Sequence, residues 1–271
     1  MSQLSKIQHS MMWAHLQELY DTRELLFTWA RRDFRVRYSQ SVLGAAWAIL
    51  QPLSLMVIFS IIFSIFLKVP TDDTPYPIFV YVALLPWTFF SGALSLAIPS
   101  LVNNMNLVSK IYFPREILPL SSILVGLIDF LIACSIFVVM ILVFGVRVGP
   151  AVLFTPLILA IQILLMFGIS LGASAVNVFF RDIRFIIPLT LQLWMYISPV
   201  IYPVSVIHEW LRQFYLLNPM AVIIDSYRRA ILHNQAPDWM WLGYATLVTL
   251  VVVLGAYRYF KQVEKEFADL I

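Results

Sequence analysis

NMNLVSKIYFPREILP, residues 104–119, breaks two of the most apolar stretches of the chain with Lys110, Arg115, Glu116 and the prolines Pro114 and Pro119. The runs on either side, at 78–100 and 117–144, are each long enough to cross about 30 Å of hydrocarbon as a helix. A charged, proline-broken connection between two such helices belongs at a membrane face. Working outward, further apolar runs at 42–67, 151–180, 186–204 and 239–260 predict six transmembrane helices in all.

The composition points the same way. Of 271 residues, 61% are hydrophobic and 12% charged, where soluble domains run at about 45–50% and 25%. No Gly/Ser-rich, Pro-rich or repetitive stretch marks a linker, so the expected fold class is a single all-α integral membrane domain over 1–271. Cys134 is the single cysteine and lies inside an apolar run, which excludes an intrachain disulfide. The net charge of +3 is dispersed beside apolar runs with no polybasic block, which excludes nucleic acid as a partner.

Charge also sets the orientation. No signal-peptide core precedes the first span, where Arg31, Arg32, Arg35 and Arg37 cluster, so the N-terminus is expected inside. Six crossings then put the N-terminal segment, the 101–116 loop, the 180–185 turn and the C-terminal tail on the cytoplasmic face. Of the 18 lysines and arginines, only Lys68, Arg147, Arg212, Arg228 and Arg229 fall on the other face. That bias is the positive-inside rule.

Two segments are amphipathic rather than spanning. Residues 13–37 alternate apolar positions with charges and read as a helix lying along the inner interface. Residues 205–237 are too polar to span. Within them, Ile207, Trp210, Leu211 and Phe214 recur at helical spacing, and Asn218-Pro219 forms a cap and first turn, so a helical hairpin at the outer face is expected.

Catalytic and metal-site patterns are missing. There is no G-x-x-x-x-G-K-[ST], so any ATP and Mg²⁺ would be handled by a separate subunit. Gly168-Ile-Ser-Leu-Gly172 matches a nucleophile-elbow pattern superficially, but all four histidines lie outside the spans; the same glycines form a GxxxG spacing for close helix approach. No His/Cys/Asp/Glu cluster has metal-ligand spacing. Asp129 is the only ionisable group near the centre of a span, and serves either as a proton-coupled site or as a carboxyl bonded to a neighbouring helix. Phe59, Phe63, Trp87, Phe90, Trp194 and Tyr202 recur on single helix faces, as sugar-gliding channel walls or as interfacial and lipid-facing filler.

Asn177-Val-Phe-Phe-Arg181-Asp182-Ile-Arg184, then Ser198-Pro199-Val-Ile-Tyr202 and Leu217-Asn218-Pro219-Met220, resembles the membrane subunits of type-2 ABC exporters for lipid-linked polysaccharides. Lys110-Ile-Tyr-Phe113-Pro114-Arg115-Glu116 and Arg37-Tyr38-Ser-Gln-Ser-Val-Leu43-Gly44-Ala-Ala-Trp47 resemble further blocks of that family, over about 17–265. The resemblance implies a homodimeric channel in a bacterial cytoplasmic membrane, above two cytoplasmic ATPase subunits, exporting O-antigen, capsule or teichoic acid precursors. It makes 101–116 the coupling element, with Leu107, Lys110, Ile111, Phe113, Pro114, Arg115 and Glu116 meeting the ATPase. It assigns the arginines of 31–37 to the ATPase or to lipid headgroups, with Arg35 and Arg37 near a lipid pyrophosphate. Arg181 and Asp182 become an electrostatic brace between helices. A drug exporter of the same architecture and a proton-driven carrier using Asp129 are the alternatives.

Overall fold

The computed structural model describes residues 22–39, 41–71, 74–108, 110 and 113–268. Helix α1 (Arg23–Tyr38) is followed by α2 (Gly44–Phe66), α3 (Tyr76–Ala97), two short helices α4 (Ser100–Asn103) and α5 (Met105–Val108), α6 (Ile117–Phe144) and α7 (Pro150–Phe179). Helices α8 (Ile183–Ile197), α9 (Glu209–Tyr215), α10 (Pro219–Ile231) and α11 (Trp239–Val263) complete the order, with a 3₁₀ turn over Glu264–Ala268. The N-terminal part of the expected interface helix, 13–21, lies outside the described residues.

Among the described residues, Gly44–Phe66, Tyr76–Ala97, Ile117–Phe144, Pro150–Phe179 and Trp239–Phe267 are long and apolar enough to cross a membrane. The expected fifth span at 186–204 is shorter: α8 runs only from Ile183 to Ile197, about 22 Å of helix. The reason is local. Pro199 crowds the residue before it, and Ser198 takes an extended conformation (φ −109°, ψ 149°) that ends the helix. The six-helix expectation therefore meets five long helices and one short apolar one.

Helix α3 is the central element. It is buried along nearly its whole length, packs against α6, and touches α2, α7, α8 and α10. Gly126 lets α6 come close: a Cβ there would lie 2.9 Å from the Ala93 Cβ. Helices α7 and α11 form a second tight pair, and here the Gly168/Gly172 spacing acts. A Cβ on Gly168 would meet the Val253 backbone nitrogen at 3.0 Å, and one on Gly172 the Ala256 Cβ at 3.3 Å. Helix α10 inserts between α3, α7 and α11. The fully buried Gln162 ties three helices there, donating to the Pro86 carbonyl at 2.8 Å and accepting from the Tyr227 hydroxyl at 3.3 Å. Satisfying both ends of a buried amide avoids about 1–3 kcal/mol of desolvation per orphaned group.

The end of the bundle carrying 98–116 is called proximal here, and that carrying 198–238 distal. At the distal end the chain leaving α8 must satisfy carbonyls that no helix continues. Arg228, 3% exposed, does so: it donates to Pro199 O at 2.5 Å, Val200 O at 2.7 Å and Tyr202 O at 3.2 Å, with its guanidinium 3.8 Å over the Phe79 ring. Asn218 caps α10 by accepting from Met220 N at 3.0 Å. Long apolar stripes of α2, α6, α7 and α11 stay exposed, Leu142 and Val143 each at 76%. That is the surface expected of helices bathed in lipid.

Candidate functional site

The proximal end is assembled from four parts of the sequence. Leaving α3, the chain folds into the two four-residue helices α4 and α5, held to the bundle by Asn177 Nδ2 donating to Ile98 O at 3.4 Å and by Arg32 Nη2 donating to Asn104 Oδ1 at 3.2 Å. The returning limb is anchored much more firmly. Phe113 stacks on Trp29 (centroids 6.3 Å apart) in a cluster with Leu101, Val108, Leu171, Phe260 and Phe267. Glu116, 1% exposed, receives Lys261 Nζ on Oε1 at 2.5 Å, and Lys261 also reaches Glu264 Oε2 at 3.0 Å. Arg115 donates to the Glu264 carbonyl and lies over the Phe267 ring at 5.6 Å.

This sorts the expected coupling residues. Lys110 is exposed and Leu107 half-buried; Ile111 lies outside the described residues. Phe113, Pro114 and Glu116 are buried and Arg115 half-buried, so the limb turns inward: Phe113 packs on α1, Glu116 pairs with α11 and Arg115 holds the 3₁₀ turn after it. Their hydrophobicity and charge are spent within the molecule. Asn103 and Asn106, which carried no distinctive pattern, share the outward face with Lys110.

The arginines of α1 also divide. Arg31, Arg32, Arg35 and Arg37 are all exposed, but Arg32 pairs with Asp33 at 2.8 Å and lies 3.7 Å over the Trp29 ring. Arg37 meets Asp129 Oδ2 at 2.8 Å; Tyr38 donates its hydroxyl to Oδ1 at the same distance. The membrane carboxylate thus has two partners, both from a helix far away in sequence. Burial, and then the bond to Asp129, push the Tyr38 phenol up to about 12. The trio borders a cavity of about 550 Å³ between α1, α2, α3 and α6, with Ser41, Gln51, Thr88 and Ser95 among its lining. Room, two charges and several hydroxyls make it fit for a polar group.

The aromatic candidates are mostly committed to packing inside the chain. Trp87 and Phe90 are buried, Phe90 edge-on to Trp194 at 5.2 Å. Trp194 donates its indole N–H to Asn218 Oδ1 at 2.9 Å, and the Tyr202 hydroxyl donates to Tyr196 O at 2.7 Å. Phe59 is buried against the half-buried Phe63 at 5.9 Å. The expected brace is not formed: Arg181 and Asp182 are both exposed in the turn between α7 and α8, without an ion pair among the described residues. A three-residue connection, Phe180 to Asp182, keeps both side chains at the corner.

Residues 24–232 match the family model described as ABC-2 type transporter. The chain is 30% identical over 258 residues to the O-antigen export system permease protein RfbA of Myxococcus xanthus, covering 94% of this chain and 98% of that one. It is 28% identical to an O-antigen export system permease protein RfbA of Klebsiella pneumoniae (92% and 95% covered) and 26% identical to the polysialic acid transport protein KpsM of Escherichia coli (88% and 92%). With its long apolar helices and the match over most of its length, the chain belongs to the ABC-2 type transporter family of multi-pass membrane proteins.

Proposed function

We propose that this chain is the channel-forming permease of an ABC exporter that carries a lipid-linked polysaccharide, O-antigen in the first instance, across a bacterial cytoplasmic membrane. The observation that carries the reading is the surface of α2 and α8. Both touch the central α3, both leave most of their side chains exposed, and both place polar groups there: Gln51 and Ser54 on α2, Thr190 and Gln192 on α8. Polar groups facing hydrocarbon are costly. A second copy of the chain facing these helices across a wet path removes that cost, and a sugar polymer passes best along weakly binding polar walls. The names of the relatives supply the cargo class.

In this scheme the proximal end is cytoplasmic, both termini included. Two separate ATPase subunits bind ATP and Mg²⁺ and dock on the face presented by Asn103, Asn106, Leu107 and Lys110. The buried limb Phe113–Glu116 passes their movement to α1, α6 and α11. The chain itself does no chemistry. The cavity at Arg37, Tyr38 and Asp129 receives the polar head of the lipid carrier as it leaves the inner leaflet, the arginine matching a phosphate oxygen.

The test is reconstitution. Proteoliposomes holding this chain and its ATPase are expected to move a labelled lipid-linked glycan only with ATP. Leu107→Asp with Lys110→Glu should abolish transport while the pure protein keeps its thermal midpoint. Glycan movement by this chain alone, or movement that follows a proton gradient without ATP, would overturn the proposal.

A further inference from the structure

The distal end holds a second polar cavity, about 340 Å³, between α3, α9, α10 and the start of α11. Arg212, Arg228, Arg229 and His233 line it together with Asp225 and Asp238. At about 30 Å³ per water it has room for a phosphate group and several waters.

Its acidic residues do not balance its basic ones. Asp238 is committed to the helix start, where it accepts from Met240 N at 3.1 Å and Trp241 N at 3.4 Å. Asp225 forms no ion pair within 4 Å among the described residues, although Arg212, Arg228 and Arg229 act on it. Burial pushes its carboxyl above the usual range against the opposing pull of those cations. Arg228 is spent on the loop carbonyls, but Arg212 and Arg229 are barely used. Among the described residues Arg229 donates one bond, from Nε to Ala236 O at 3.2 Å, and Arg212 reaches only Val204 O, at 3.5 Å. The Arg212 Nε is buried with no acceptor among the described residues. A buried guanidinium N–H without an acceptor is costly, so its presence points to an anion that fits there.

The surroundings identify the anion's source. Helix α9 is amphipathic in a particular way: Trp210 (64% exposed) and Phe214 (67%) lie one turn apart on its outer side, while Arg212 sits opposite, over the cavity. Trp239 and Met240 are exposed beside the same cavity at the start of α11. Exposed tryptophans at the end of a bundle mark the headgroup level of a bilayer. A basic cavity at that level, fenced by aromatic side chains that suit acyl chains, is built for a phosphodiester with tails attached.

We infer that the distal cavity binds the phosphate of an anionic membrane phospholipid through Arg212 and Arg229, with the acyl chains lying along Trp210 and Phe214.

The test uses the purified full-length protein in nanodiscs, with native mass spectrometry counting retained lipid. Phosphatidylglycerol should be retained in preference to phosphatidylcholine, and R212Q/R229Q should lower its affinity by about tenfold or more. Asp225→Asn, which removes the opposing charge, should raise it and serves as the variant in which no basic residue is lost. Equal retention by wild type, R212Q/R229Q and D225N would overturn the inference. So would displacement of the lipid by millimolar inorganic phosphate with no preference between the two lipids, because the site would then recognise a free anion.

Discussion

Replacing Lys261 with methionine removes the only cation among the described residues within 4 Å of a carboxylate that is 1% exposed. Two unit charges about 4 Å apart attract by about 4 kcal/mol at an effective dielectric constant of about 20. Stripping one partner from a buried pair costs about 3–5 kcal/mol, because the other charge stays buried and uncompensated. Glu116 is poorly placed to absorb the loss: its Oε2 already has no hydrogen-bond partner among the described residues. Neutralising both sides, Lys261→Met with Glu116→Gln, leaves a cavity of similar shape and no charge, and should cost about 1 kcal/mol. At about 2–4 °C per kcal/mol for a chain of this size, Lys261→Met should lower the unfolding midpoint by about 6–20 °C. The double variant should recover more than half of that. Thermal unfolding in detergent, followed by tryptophan fluorescence, measures both. A shift under about 2 °C for Lys261→Met, or a double variant no more stable than the single, would refute the view that this pair holds the coupling limb to α11.

Three further outcomes follow from the packing. Arg228→Lys cannot reach the loop carbonyls with a single ammonium and should cost about 2–4 kcal/mol, read as a lower midpoint and faster proteolysis between 198 and 208. Gly168→Ala should destabilise by about 1–3 kcal/mol, since the nearby Val253 nitrogen is backbone and cannot yield, whereas Gly243→Ala, with nothing within 4 Å, should be neutral or stabilising. The Tyr38 phenol, held up at about 12 when folded, titrates near 10 when unfolded. The folded state thus keeps that proton longer, so its contribution to stability is complete below pH 10 and lost as pH rises through about 12. Tyr38→Phe should flatten that part of the pH–midpoint curve, and superimposable curves would discard the bond to Asp129.

The site was only partly legible in advance. The 104–119 stretch announced a special segment because charge and proline interrupt hydrocarbon-length runs, and that much is a one-dimensional property. Which of its residues face outward is not. Phe113 and Glu116 are typical of a docking surface, yet their partners Trp29 and Lys261 lie far away in sequence, at opposite ends of the chain. Asn106, an unremarkable polar residue, is exposed instead. The aromatic stripes could not be sorted for a related reason: helical periodicity groups side chains on one face but does not distinguish a face turned to a lumen from one turned to α10, where Trp194 meets Asn218. The shortened α8 had a readable cause in Ser198-Pro199, overridden by the continuing apolar run up to 204.

Length, hydropathy and breakers by themselves determined that this is a helical membrane protein, roughly where its long helices run, and that Asn218 would begin one of the shorter ones, because those features depend on each residue and its near neighbours. Tertiary structure alone decided that Arg37 and Tyr38 claim Asp129, that Arg228 holds the loop after α8, and that Lys261 closes on Glu116. Those are pairings of charge and hydrogen bond across tens or hundreds of residues. Burying a polar group demands a partner at about 3 Å, and the chain finds it only once the helices have packed.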